Sequence, residues 1–194
     1  MRTLFAFDMM TLDGFFEGPN RDISWHTVDD EFNKFAGRQL DSVDVLLFGR
    51  ITYQLMALYW PTATGNDPVV TLKMNTLPKV VFSRTMEKAE WNNTKLIREN
   101  PAEEILKLKQ ERGKDLALFG SAALLSTLAQ ANLVDEYRIM VNPILLGKGT
   151  PLFQGMDRRM NLKLISSNTY RSGNVLLCYR PNGSGDPKAI TSQP

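Results

Sequence analysis

Three times in this chain a buried-looking apolar run stops on a small residue and a turn or helix begins at once. The stretches are "LLFGRIT" at 46–52, "VVFSRT" at 80–85 and "LALFGSAAL" at 116–124. Strands that hand over directly to helices require a sheet with helices packed on its faces, and they exclude an all-helical or all-strand fold. In a parallel sheet these junctions all lie at the carboxyl ends of the strands, the edge where open α/β proteins bind ligands.

The rest of the chain agrees with that frame. "TLFAF" reads as a first strand, and Val28, Phe32, Phe35, Ala36 and Leu40 recur at helical spacing after it, with Asp29 and Asp30 in the first turn. "VDVLLF" is a strand, followed by a helix from Thr52 to Tyr59; "KVVFS" and "TKLI" are further strands. In "NPAEEILKLKQERG" Asn100 caps a helix, Pro101 takes its first position and Gly113 ends it. "DLALFG" and "SAALLSTLAQAN" give one more strand and helix. After these the texture changes. "VDEYRIMVNPILL", "NLKLISSNTYRS" and "NVLLCYRP" are strands without intervening helices, the last two joined at Ser172-Gly173. The pattern predicts an α/β fold with a mixed, mostly parallel sheet and antiparallel C-terminal strands. Residues 1–181 form one domain, and 182–194, rich in Gly, Pro and Ser, form a flexible tail.

Composition narrows the partners. With 23 basic and 21 acidic residues the net charge is +2, too balanced for a nucleic-acid or anionic-membrane surface. Cys178 is the sole cysteine and His26 the sole histidine, so neither a disulfide nor a cysteine or multi-histidine metal site can be built. The amino terminus offers four apolar residues before Asp8, too few for a signal sequence, and no stretch approaches the roughly 20 apolar residues of a membrane helix. The expected compartment is the cytosol.

The junctions carry the chemistry. Gly49 and Gly120 let backbone approach a ligand closely, and the helix starts after them expose unpaired N–H groups. Arg50 and Arg84 add full charge; Thr52, Ser83, Thr85 and Ser121 add hydroxyl donors. One such junction is ordinary turn chemistry. Three on one edge point to a phosphate-rich ligand, such as a nucleotide, although the Gly-x-Gly-x-x-Gly fingerprint after the first strand is missing.

At these residues the chain resembles the dihydrofolate reductase-like superfamily, and within it the reductase domain of riboflavin-biosynthesis deaminase–reductases. The resemblance rests on "TLDGFFEG", "FGRITYQ", "KVVFSRT", "LFGSAALLSTL" and "LVDEYRIMVNPILLGKGTPLF", in the family's order and covering Met1 to Arg180. It implies NADPH as cofactor and hydride transfer to a small pyrimidine-, pterin- or lumazine-like ring, in a homodimer paired through the late strands. It places Gly49, Arg50 and Thr52 at the pyrophosphate, with Gly120, Ser121 and Ala122 against it from the next helix. Ser83 and Arg84 fall at the adenosine ribose and its 2′-phosphate, and Thr85 after them is a further cofactor-binding position. "TLDGF" becomes a mobile loop beside the nicotinamide.

Hydride transfer asks the protein for a proton, and an acid with a raised pKa near the nicotinamide could give it. Asp13 is the first choice, its alternative role being that of a turn residue; Asp67 is second. Trp25 and Glu17 are the candidate substrate contacts, with Asn20 near the same opening. Pro143, Gly147 and Gly149 shape a long strand connection, with Lys148 in solvent. Folate reductases of the superfamily carry paired glycines where this chain has Phe119-Gly120, and an acid on the first helix, for which Asp29, Asp30 and Glu31 stand here. The chain lacks a deaminase zinc signature. A protein that binds NADP(H) without turnover, as a sensor or interaction module, is the alternative reading.

Overall fold

Residues alternate strictly between two cores along the central strands. In the computed structural model, which describes residues 1–182, the elements are β1 (Leu4–Thr11), β2 (Phe15–Glu17), α1 (Asp30–Asp41), β3 (Val43–Gly49), α2 (Arg50–Tyr59), α3 (Pro68–Thr76), β4 (Lys79–Phe82), β5 (Thr94–Ile97), α4 (Pro101–Gln110), β6 (Asp115–Phe119), α5 (Ala122–Gln130), β7 (Glu136–Asn142), β8 (Thr150–Pro151), β9 (Leu162–Thr169) and β10 (Val175–Pro181). Leu4, Ala6, Leu47, Leu116 and Leu118 face one side, against Ile105 and Leu108 of α4 and Leu124, Leu125 and Leu128 of α5. Phe5, Leu46, Phe48 and Ala117 face the other, against Leu40 of α1, Tyr53 of α2, and Val70 and Met74 of α3. Both faces are therefore covered, as a period of two demands of a buried parallel sheet. Each fully buried Leu or Phe contributes roughly 1.5–3 kcal/mol.

The main sheet has the order β5-β4-β3-β6-β1-β7-β10-β9. The pairs from β5 through β7 are parallel, and β10 lies antiparallel to both β7 and β9. This is the expected mixed sheet with an antiparallel end, with the antiparallel pairing starting only at β10. The Tyr170–Asn174 turn that joins β9 to β10 closes with Gly173 at φ +86°. Cys178 is buried in β10.

Some elements differ from the sequence expectation. The helix α3 was not expected: its Val-Val-Thr start lacks helical periodicity. Asp67, the second candidate proton donor, instead caps α3 by accepting from the Val69 and Val70 amides (2.9 and 3.0 Å). Asn100 sits at the start of α4 in the left-handed region (φ 51°) without a capping bond from its side chain, and α4 ends at Gln110, before Gly113. A second sheet, β2 with β8, joins residues more than 130 positions apart. The tail predicted at 182–194 lies, beyond Asn182, outside the described residues. Among the described residues no helix is long and apolar enough to cross a membrane.

Candidate cofactor site

Two adjacent strands send the chain in opposite directions. From β3 it passes through α2 and α3 to β4 on one side; from the neighbouring β6 it passes through α5 to β7 on the other. With right-handed crossovers the helices must then lie on opposite faces, which leaves a crevice between the carboxyl ends of β3 and β6. The register brings Leu47 level with Leu118, so Gly49 and Gly120 end their strands side by side.

Here α2 and α5 begin together. The Gly49 amide donates to the Gly120 carbonyl (3.4 Å), and a Cβ on Gly49 would overlap the Ser121 hydroxyl. Gly120 has φ +56°, and a Cβ there would stand 2.7 Å from Thr52 Oγ1 and 3.1 Å from Phe16 Cζ. The Gly120–Ser121 peptide is cis. Neither helix start carries a capping side-chain bond, so both present first-turn amides and the positive end of a helix dipole to the crevice. Thr52 and Ala122 are buried at this junction.

The guanidiniums lie on the same rim. Gly49 pairs in register with Phe82, which sets Arg50 and the Ser83-Arg84 pair at neighbouring strand ends. Arg50, Arg84 and Thr85 are exposed. Arg50 Nη1 reaches Gln54 Oε1 (3.4 Å), one turn along its own helix. The Ser83 hydroxyl accepts from the Met86 and Thr85 amides (3.0 and 3.3 Å) and so shapes the turn after β4. The sequence thus brought together Gly49, Arg50, Thr52, Ser83, Arg84, Thr85, Gly120, Ser121 and Ala122 on one edge.

The expected proton donor has a different character. The Asp13 carboxylate accepts from Thr11 Oγ1 (2.6 Å), the Gly147 amide (2.7 Å) and the Leu146 amide (3.0 Å). The Thr11 hydroxyl first, then the Gly147 amide, hold its pKa below the usual carboxylate range, where a proton donor needs it raised. Asp13 is an ionised anchor that ties the β1–β2 turn to the loop after β7.

Glu17 likewise accepts from Thr150 Oγ1 (3.0 Å), across the β2–β8 pair. Gly149 lies against the Glu17 carbonyl with no room for a Cβ, so that glycine is needed for close approach. Trp25 donates through Nε1 to the Asp22 carbonyl (3.1 Å) and packs, as Phe32 and Phe35 do, against the buried cluster of Met9, Met140, Leu176 and Cys178. It meets His26 edge-on at 4.4 Å. Burial pushes His26 down to about 4, so it is neutral. On the first helix, Asp29 caps through the Phe32 amide (2.8 Å), and Glu31 accepts from the Arg171 amide (2.8 Å).

One acid escaped the sequence reading. Asp8 lies on β1 in step with Leu4 and Ala6, on the face that packs against α5, and is only 3% exposed. Among the described residues neither of its carboxyl oxygens has a hydrogen-bond partner. Burial raises its pKa to about 7, opposed only by the nearby Gly120 amide. Its signal was present in "LFAFDMM", where a charge occupies a core-facing position of an apolar strand.

The chain is similar to several known proteins. YyaP of Bacillus subtilis, an uncharacterized protein, is 38% identical over 178 residues, which span 90% of this chain and 92% of YyaP. A putative riboflavin biosynthesis protein from Shewanella sp. PV-4 superposes with a TM-score of 0.73 at 21% identity, covering 93% of this chain and 99% of that one. Dihydrofolate reductase from Enterococcus faecalis, complexed with NADP(H), superposes with a TM-score of 0.62 at 15% identity, covering 93% and 96%. At those identities the two superpositions establish a shared fold. The RibD C-terminal domain family matches residues 2–176, nearly the whole described chain, and the protein belongs to that family.

Proposed function

We propose that the protein is an NADPH-dependent reductase that transfers hydride to a small nitrogen heterocycle of the pyrimidine or pterin kind, as in riboflavin- or folate-type chemistry, in the cytosol. The observation that carries this reading is the meeting of two uncapped helix starts between Gly49 and Gly120, with Arg50 and Arg84 on the same rim. Amides and a helix dipole suit a pyrophosphate, and an exposed guanidinium suits the additional 2′-phosphate.

Gly49, Arg50, Thr52, Gly120, Ser121 and Ala122 would hold the pyrophosphate, and Ser83, Arg84 and Thr85 the 2′-phosphate end. The cofactor, when bound, supplies the hydride. The chain's own work is to orient, exclude water and manage a proton. Trp25 would offer a flat apolar wall to a heteroaromatic ring.

Fluorescence titration with NADPH and NADH tests the cofactor. Wild-type protein is expected to prefer NADPH, and Arg84→Ala to abolish that preference. Failure to bind either nucleotide overturns the reading.

The commitment of Asp13 to the loop after β7 favours a second reading, an NADP(H)-binding sensor without turnover. NADPH oxidation across a panel of pterins and pyrimidines separates the two. We also read β9 as a homodimer edge, since all eight of its residues are exposed, among them Leu162, Leu164 and Ile165.

A further inference from the structure

We propose that Asp8 is a positioning residue for the cofactor's pyrophosphate: its buried carboxyl lies beside the Gly120 junction, and nucleotide binding draws a proton onto it. The proposal rests on the functional reading above and deepens it.

The geometry begins with the sheet. Phe7 of β1 pairs with Phe119 of β6, so the next position, Asp8, falls beside Gly120, where α5 is about to start. On its other flank Asp8 pairs with Ile139 of β7. Phe16 closes over Gly120 from β2, and Thr52 from α2. The carboxyl is therefore buried beside the Gly120 amide, at the junction offered to a phosphate, and among the described residues both its oxygens lack hydrogen-bond partners. An unpartnered buried carboxyl is costly, and a fold retains one where another state of the site gives it a role.

Among the described residues no charge compensates it. Glu17 on β2 engages Thr150 Oγ1, Arg50 on α2 reaches Gln54, and Arg138 on β7 binds Glu136 and lies over the Phe5 ring. The helix α5 carries no titratable side chain. Burial and the Gly120 amide alone set the proton affinity of Asp8, which places its titration near neutrality. Ionised, Asp8 would put a negative charge under an anion and compete with it for the Gly120 amide. Protonated, it removes that repulsion and frees the amide. Bound pyrophosphate must in turn tighten the proton on Asp8, because linkage is reciprocal.

The test is calorimetric titration of NADPH into wild type and Asp8→Asn, each in buffers of different ionisation enthalpy, at neutral and mildly alkaline pH. Asn keeps the shape and is permanently neutral. Wild type is expected to take up protons on binding, and its Kd to rise by up to about tenfold per pH unit above neutrality. Asp8→Asn should lose that uptake and flatten the curve, while ionisation of the 2′-phosphate, common to both proteins, cancels in the difference. Equal proton counts and parallel curves overturn the inference while the cofactor reading stands. No NADPH binding by wild type overturns both.

Should Asp8→Asn fail to fold, the carboxyl carbons of wild type decide by NMR. One aspartate should titrate near neutrality in the free protein and shift upward on saturation with NADPH. A free-protein titration unmoved by the nucleotide overturns the proposal.

Discussion

The Gly49 amide donates to the carbonyl of Gly120 across 3.4 Å, so the chain is fastened just ahead of the helix that follows β3 and the helix that follows β6. This contact, between strands that diverge immediately afterwards, fixes the width of the crevice.

Gly49→Ala places a methyl group on the Ser121 hydroxyl and must push the two helix starts apart. We expect NADPH affinity to fall by about tenfold or more, which needs only about 1.4 kcal/mol. Overpacking should cost about 1–3 kcal/mol of stability. Adding Ser121→Gly should restore the stability. Thermal melts and fluorescence titration of the single and double variants measure both effects.

Asp13→Asn tests the anchor role. The folded-state pKa of Asp13 is depressed, so its stabilising bonds are present above the ordinary carboxylate range and are lost as pH falls through the depressed value. The variant should melt below wild type at neutral pH, and the two melting curves should converge in strong acid. If turnover is found, its pH optimum should stay where it was, because the proton is not drawn from this group.

Asp8 gives the opposite slope. Its pKa rises from the ordinary 3.8 to about 7 in the folded protein. Between those values the folded state keeps a proton that the unfolded chain has released, so wild-type stability should decline with rising pH and level off above about pH 7. The decline is about 1.4 kcal/mol per pH unit. Asp8→Asn should lack this component, gaining on wild type at about pH 8 relative to about pH 4. Denaturant midpoints across that range measure it.

The β9 edge makes a solution prediction. Leu164→Lys with Ile165→Lys should convert a dimer to a monomer in light scattering. Both side chains are half exposed in the single chain, so the monomer's own fold should change little, each substitution costing within about 0.5 kcal/mol. A wild-type monomer at micromolar concentration would remove the homodimer proposal.

What could be read from the sequence follows from how local the signals are. The strands ending at Gly49, Phe82 and Phe119 were visible because apolar runs with abrupt stops are determined within a few residues. The helix α3 escaped because Val69, Val70 and Thr71 are β-branched and show no helical stripe; only the cap from Asp67 marks it. The pairing of Phe15 with Pro151 and of Glu17 with Thr150 depends on register across the whole chain, which no local pattern carries.

The candidate site divides in the same way. Its phosphate-facing half consists of backbone positions at junctions, which glycine and hydroxyl residues announce. Its proton chemistry depends on burial and on who fills whose lone pairs. Asp13, expected to donate the proton, therefore holds its charge, while the carboxyl whose proton affinity burial raises is Asp8, which no sequence motif singled out.

The placement of β10 between β7 and β9 has a consequence for synthesis. Among the described residues the strand made last is an interior one, and β9 touches the main sheet only through it. While the chain is still emerging from the ribosome, β7 has an open edge and β9 nothing to join. A stop codon before Val175 would release a protein holding both unpaired strands at once, a product suited to aggregation and early proteolysis.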